Sequence, residues 1–198
     1  MRFAASVLIV SGVLMISDAG ATLLWQEPVS YLLASRQQGQ LEEAFANPVQ
    51  RKRVIARKPL PGDSIAKIEL PTLNRDYYVV EGTDTEDLRK GPGHYADTPL
   101  PGDRGTVAIA GHRTTYGAPF RRIDDLDRGD EINIDMPYGS FAYEVEKTRI
   151  VEPTELSVKR KVAYDRLVLT ACHPLYSAAQ RIVVFARLKE RDGQSTVK

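Results

Sequence analysis

From residue 63 onward, short apolar runs alternate with clusters of turn-forming residues. Ile65 to Leu70 places apolar and polar side chains in alternation, the pattern of a half-buried strand. Tyr77 to Val80 reads as a second strand closed by Glu81-Gly82, and Asp84 to Lys90 has the length of a helical turn. Gly91-Pro92-Gly93 and Pro99-Leu100-Pro101-Gly102-Asp103 are turns, because Pro and Gly fix opposite backbone preferences. Further strands are predicted at Val107–Ala110, Glu131–Asp135, Phe141–Ile150, Arg166–Thr170 and Ile182–Leu188. So many short strands with so few helices define a mainly β fold, a closed barrel or a sandwich.

The start of the chain has a different pattern. Phe3 to Trp25 contains no Lys or Arg and follows Arg2, which suits an N-terminal membrane anchor with its short leading end in the cytoplasm. Asp18 interrupts the run, so the clean apolar stretch is Phe3 to Ile16. A signal peptide with Ala19-Gly20-Ala21 as its cleavage site is the alternative. Both readings put the rest of the chain outside the cell. Leu32, Leu33, Leu41, Ala44 and Phe45 recur at helical spacing between Thr22 and Asn47, predicting a stalk helix that Pro28 kinks or starts and Asn47-Pro48 stops. Arg51-Lys52-Arg53 and Arg57-Lys58 read as a solvated basic linker. The expected organisation is an anchor at 1–25, a stalk and linker at 26–61, a β domain at 62–190 and a polar tail at 191–198.

Composition narrows the function. An apolar share of 42% is enough for a real core, and a net charge of +1 argues against a dedicated nucleic-acid binder. The single cysteine excludes an internal disulfide and leaves a free thiol outside the cell. Three histidines and one cysteine would suffice in number for zinc, but no useful short ligand spacing joins them. Asp124, Asp125 and Asp127 lack a calcium-loop pattern and read as a turn. No metal or cofactor is expected.

The candidate chemistry lies in Leu167–Leu188, LVLTACHPLYSAAQRIVVFARL. Two β-branched runs joined by a polar turn form a hairpin, with Cys172 at the sheet rim and Arg181 starting the returning strand. A thiolate attacking an amide creates an oxyanion, which a permanently charged guanidinium can stabilise. A histidine must then protonate the leaving amine. His112, after the strand-like run Thr106 to Gly111, has the most suggestive setting of the three histidines. His173 adjoins the cysteine but points to the other face of an extended segment. Arg113, Arg121 and Arg122 read as surface charges.

These residues carry a resemblance to the class E sortases, cysteine transpeptidases of the Gram-positive cell surface. It runs from about Gly62 to Leu188 and includes KGPGHY (Lys90–Tyr95), LPGDRGTVAIAGHRTTYGAPF (Leu100–Phe120) and the Cys172–Arg181 segment. The resemblance implies an eight-stranded barrel with His112, Cys172 and Arg181 as the reacting groups. It further implies a substrate groove bordered by Tyr116, Thr170, Ala171 and His94. Ala171 stands where sortases usually carry threonine, which removes a hydroxyl expected to face the substrate. The implied partners are surface-protein precursors with an LPXTG-like sorting signal, LAXTG in class E, and a cell-wall amine such as lipid II. The enzyme would be a monomer, tethered once in the cytoplasmic membrane with its barrel outside. A catalytically inactive sorting-signal binder and a plain tethered β domain are the alternatives from other classes. A pilus-polymerising sortase is the competitor within the family, but no Asp-Pro-aromatic lid motif precedes the barrel.

Overall fold

A computed structural model describes residues 2–192, without the side chains of 2–5, 18–19 and 21–31. Eight strands close into a barrel: β1 (Ser64–Leu70), β2 (Arg75–Glu81), β3 (Gly93–His94), β4 (Thr106–Ala110), β5 (Glu131–Met136), β6 (Gly139–Val151), β7 (Arg166–His173) and β8 (Gln180–Asp192). Their order around the wall is β1-β2-β3-β4-β7-β8-β6-β5. Most neighbours are antiparallel, but β2–β3 and β4–β7 run parallel. Closure leaves no sheet edge to template aggregation.

Alternation sorts each strand's side chains. Val107 and Ile109 of β4, Leu167, Leu169 and Ala171 of β7, and Ile182, Val184 and Ala186 of β8 fill the interior with Ile68, Ile134 and Tyr143. Ala108, Val168, Val183 and Phe185 form a second apolar cluster with Val151, Val158 and Tyr95 on the outer side of the same strands. The wall β4-β7-β8 is therefore apolar on both faces. This is why its strands read as continuous hydrophobic runs rather than alternating ones.

The structure departs from the sequence reading in three places. The basic segment after Asn47 is a helix, α2 (Pro48–Ile55), capped by the Asn47 side chain accepting from the Val49 and Gln50 amides. Its Arg53 grips Asp63 through two hydrogen bonds, of 2.8 and 2.5 Å, so the segment is docked rather than solvated. Gly93, read as the end of a turn, forms with His94 a short strand bridging β2 and β4. The polar end expected to fray from residue 191 is still paired at Asp192, opposite Ser140, while residues 193–198 lie outside the description.

The first helix, α1, spans Arg2–Ala46. Val7 to Ile16 exposes a run of large apolar side chains, from 51% for Val7 to 75% for Ile16. Among the described residues no helix is long and apolar enough to cross a membrane. Part of the expected span Phe3–Trp25, and the expected break at Pro28, lie outside the residues whose side chains are described. At its other end α1 docks on the barrel. The Gln38 side chain donates to the carbonyls of Tyr78 (3.2 Å) and Lys90 (2.9 Å) and accepts from the Tyr78 amide (2.7 Å). One side-chain amide thus completes backbone pairing beside β2.

Gly111, at the end of β4, packs against the fully buried ring of Phe120, which a Cβ at 111 would approach to 2.5 Å. Gly111→Ala forces ring and loop apart, an overpacking cost of roughly 1–3 kcal/mol. Thermal denaturation of that variant should show a clear fall in Tm, whereas an unchanged Tm would mean the loop yields freely.

Candidate active site

Strand register brings the three predicted reacting groups together. β4 and β7 run parallel with Ala108 beside Val168 and Ala110 beside Thr170. The Gly111 amide continues the ladder, donating to the Thr170 carbonyl at 3.0 Å. β4 ends there, and His112 follows two residues beyond Ala110 as Cys172 follows two residues beyond Thr170. On the other side β7 and β8 are antiparallel, and Cys172 lies directly opposite Arg181. Such partners hold their Cβ atoms about 5 Å apart on one face. Alternation decides which face: Val168 and Val183 belong to the outer cluster, so Cys172 and Arg181, in step with them, face outward too. The site is a shelf on the outside of the barrel wall.

His112 is half-buried, and its Nε2 is buried with no hydrogen-bond partner among the described residues. The Tyr116 ring covers the imidazole, centroids 5.0 Å apart and planes tilted by 53°. Burial holds the His112 pKa below its ordinary value of 6.5. The neutral ring is the form the fold favours, so this term costs nothing above about pH 6.5 and reduces stability as pH falls through the depressed value. Tyr116, Gly117 and Ala118 all have left-handed backbones, with φ of 52°, 74° and 44°. Two of these are not glycine, a strain that persists only where the surroundings impose it. Here the Phe120 amide donates to the His112 carbonyl at 3.0 Å, and Ala118 to Thr115 at 2.9 Å.

Cys172 is a partly exposed free thiol. The Arg181 guanidinium donates through Nη1 to the carbonyls of Ala178 and Gln180, both at 3.0 Å, which holds it at the rim of the β7–β8 loop. Beside it lies a small hollow of about 60 Å³, lined by Arg181, Thr170, Val183, Tyr95 and the segment Val151–Lys159. The Thr170 hydroxyl meets the Tyr95 hydroxyl at 3.3 Å on this surface.

Two expected groove residues are placed elsewhere. His94 is 1% exposed: its Nδ1 meets Glu81 at 2.8 Å, and its Nε2 faces the Pro99 carbonyl and the Thr98 hydroxyl. Both ring nitrogens are engaged, so His94 ties β3 to its neighbours and has none left for a ligand. Ala171 faces the barrel interior and is buried, so a residue there does not border the outer shelf.

One residue of the site escapes the sequence reading. Arg113, taken as a surface charge, is 2% exposed. It donates to Asp124 at 2.6 Å, to the Arg121 carbonyl at 3.4 and 3.2 Å, and lies 3.2 Å from His173 Nδ1. A guanidinium only donates, so His173 Nδ1 must accept, and a neutral His173 carries its proton on Nε2. Arg113 thereby ties the loop after His112 to the residue following Cys172. The available signal was alternation: if His112 points out, Arg113 points in. Among the described residues no cluster of three or more His, Cys, Asp or Glu is placed to hold a metal.

With this geometry in place, comparison with known proteins is informative. A sortase-domain family profile matches residues 68–189. The chain is 35% identical to sortase D of Bacillus subtilis over 142 residues, covering 70% of each protein. It is 26% identical to sortase SrtE1 of Streptomyces coelicolor over the whole chain and 59% of that longer relative. The structure of sortase E from Streptomyces avermitilis superposes with a TM-score of 0.63 at 33% identity, covering 70% of this chain and 96% of that one. A barrel of this topology carrying a Cys-Arg cross-strand pair defines a cysteine transpeptidase. The chain belongs to the sortase family, and its resemblance to class E is supported by the Streptomyces enzymes.

Two measurements check the site. NMR titration should place the His112 pKa below 6.5, and Tyr116→Ala, by admitting water to the ring, should move it up toward that value. No movement would exclude Tyr116 as the cause of burial. Arg113→Ala leaves Asp124, a carbonyl and His173 without their donor; since Asp124 is 44% exposed, the expected loss is toward the low end, roughly 2 kcal/mol in denaturant unfolding.

Proposed function

We propose that this enzyme cleaves a C-terminal LPXTG-like sorting signal, LAXTG in class E, between Thr and Gly, and joins the Thr carbonyl to a cell-wall amine. The observation that carries the reading is the placement of Cys172 opposite Arg181, with His112 at the extended register of the adjoining strand. In the first transfer the Cys172 thiolate attacks the Thr carbonyl carbon, and the C–S bond forms as the C=O electrons move to oxygen. Arg181 stabilises that oxyanion. Collapse breaks the C–N bond, and protonated His112 gives its proton to the departing Gly amine, leaving a thioester. In the second transfer an amine attacks the thioester, His112 takes the proton, and the C–S bond breaks to restore the thiolate. Water in place of the amine gives hydrolysis.

The hollow beside Arg181 and Thr170 supports a signal peptide bound along this face of the wall. The partners on this reading are surface-protein precursors and a lipid II-like amine. The exposed apolar run Val7–Ile16 supports an uncleaved membrane anchor that leaves the barrel on the outer surface. An inactive binding module has no support from Ala171, which faces the interior.

Full-length protein incubated with an LAXTG peptide should give a thioester adduct by mass spectrometry, absent in Cys172→Ala. Full peptide turnover by that variant would end the reading. Arg181→Lys should lower kcat/KM by about 10²-fold or more, since a point charge does not reproduce the planar fork. Retained activity would remove Arg181 from the oxyanion role.

A further inference from the structure

Among the described residues, the last main-chain hydrogen bond from the β4 side to β7 runs from the Gly111 amide to the Thr170 carbonyl, at 3.0 Å. His112 follows Gly111 directly and Cys172 lies two residues past Thr170, so both reacting side chains stand beyond the paired wall. From there the two chains part. β7 continues to His173 paired with β8 alone. The loop after His112 closes on itself, with the amides of Phe120, Ala118 and Arg121 donating to the carbonyls of His112, Thr115 and Ala118.

What spans the gap is a buried side chain. Arg113 is anchored in its own loop by the Asp124 carboxylate at 2.6 Å and by the Arg121 carbonyl at 3.2 and 3.4 Å. This leaves its Nη1 facing His173 Nδ1 at 3.2 Å. The residue after His112 therefore holds the residue after Cys172. A second link lies further out, where Arg121 donates to the Tyr176 hydroxyl at 3.0 Å, but Tyr176 is 74% exposed. Water competes for that outer contact, so the buried guanidinium is the one that can fix a distance.

We propose that Arg113, acting through His173, is the positioning residue that sets where the His112 imidazole stands relative to the Cys172 sulfur. It touches neither substrate nor reacting atoms. The proposal rests on the transpeptidase reading and names two further residues on which its proton transfers depend. In the first transfer the Cys172 S–C bond forms, the C–N bond breaks, and the proton on His112 moves to the departing nitrogen. Only the last event needs the imidazole within hydrogen-bond reach of the leaving atom. A misplacement of about 1 Å there costs on the order of 10²-fold in rate. Loss of this strut therefore falls on proton transfer rather than on peptide binding.

The chemistry of the contact says which substitutions keep it. A guanidinium only donates, so position 173 has to offer an acceptor where Nδ1 now stands. Asn can bring its side-chain carbonyl close to that point, whereas Leu fills similar space with no acceptor. At position 113, Lys keeps the charge but does not reproduce the planar fork.

The test follows single-turnover acylation of the full-length protein by mass spectrometry, with two acyl donors that share an LAXT segment. One is the LAXTG amide, whose amine leaves only with a proton. The other is the matching thioester of mercaptoacetate, whose C–S bond breaks with the electron pair staying on sulfur, so no proton is needed. With the amide, His173→Leu and Arg113→Lys should each slow acylation about tenfold or more, at an unchanged half-saturating peptide concentration. With the thioester both variants should stay within about threefold of the parent, which also shows them folded. His173→Asn should keep amide acylation within about threefold of the parent. The double variant Arg113→Lys/His173→Leu should be no slower than the slower single one, because both changes remove the same contact. An equal fall with both acyl donors, an unaltered amide rate in both single variants, His173→Asn as slow as His173→Leu, or losses that multiply in the double variant would overturn the assignment. A parent protein that forms no acyl-enzyme from either donor would instead overturn the underlying transpeptidase reading, and this one with it.

Discussion

The site depends on a single constraint, the hydrogen-bonded register of β4, β7 and β8. β7 has a parallel neighbour on one side and an antiparallel neighbour on the other. A parallel neighbour carries its chain out of the sheet in the same direction, so a residue just past the end of β4 sits beside the end of β7. An antiparallel neighbour turns back at that end, so its first residues lie opposite the last residues of β7. Both arrangements converge on Cys172 from residues far apart in sequence. A slip of one residue in either pairing would turn His112 or Arg181 into the barrel. The apolar clusters on both faces of this wall oppose such a slip, because each would have to exchange buried for exposed side chains.

Charge is placed with the same economy. Arg113 is buried and fully engaged, so its cation serves to lock the loop after His112 against Asp124 and His173. Among the described residues Arg181 is held by two backbone carbonyls at the surface and meets no carboxylate that would neutralise it. Only the second arrangement leaves a guanidinium able to meet a charge that appears during reaction. His112 has the complementary property. Burial favours its neutral form, so the imidazolium that follows from taking up a proton is the less comfortable state and is inclined to give it back.

How much of this is legible in the sequence follows from which interactions are local. The strands are, since Ile65–Leu70 and Phe141–Ile150 display their alternation and Gly-Pro clusters mark the ends. So are the proposed reacting residues, because the hairpin around Cys172 and the glycine before His112 are contiguous motifs. β3 is not legible: two residues, Gly93 and His94, have no periodicity and become a strand only because β2 and β4 are both present. Burial of Arg113 depends on Asp124, Arg121 and His173, from two other segments. Docking of α2 likewise depends on Asp63 and on Ser64, whose amide donates to Gln50, so its basic composition alone reads as a solvated linker. His94 misleads for a related reason. A histidine in a glycine-rich motif resembles a ligand-binding group until Glu81 is found beside it.

The two sides of the catalytic shelf are built differently. On the Arg181 side the surface is formed by the barrel and its own β6–β7 connection, so it is complete wherever the barrel is folded. On the His112 side the wall is supplied by α1, from a segment that precedes the barrel and is joined to it by the Gln38 amide. On that side Ala34 leaves no room for a Cβ at Gly117, which falls on the same left-handed turn that presents Tyr116 to His112. A movement of α1 relative to the barrel would therefore act on the Tyr116 and His112 side while leaving the Arg181 side untouched.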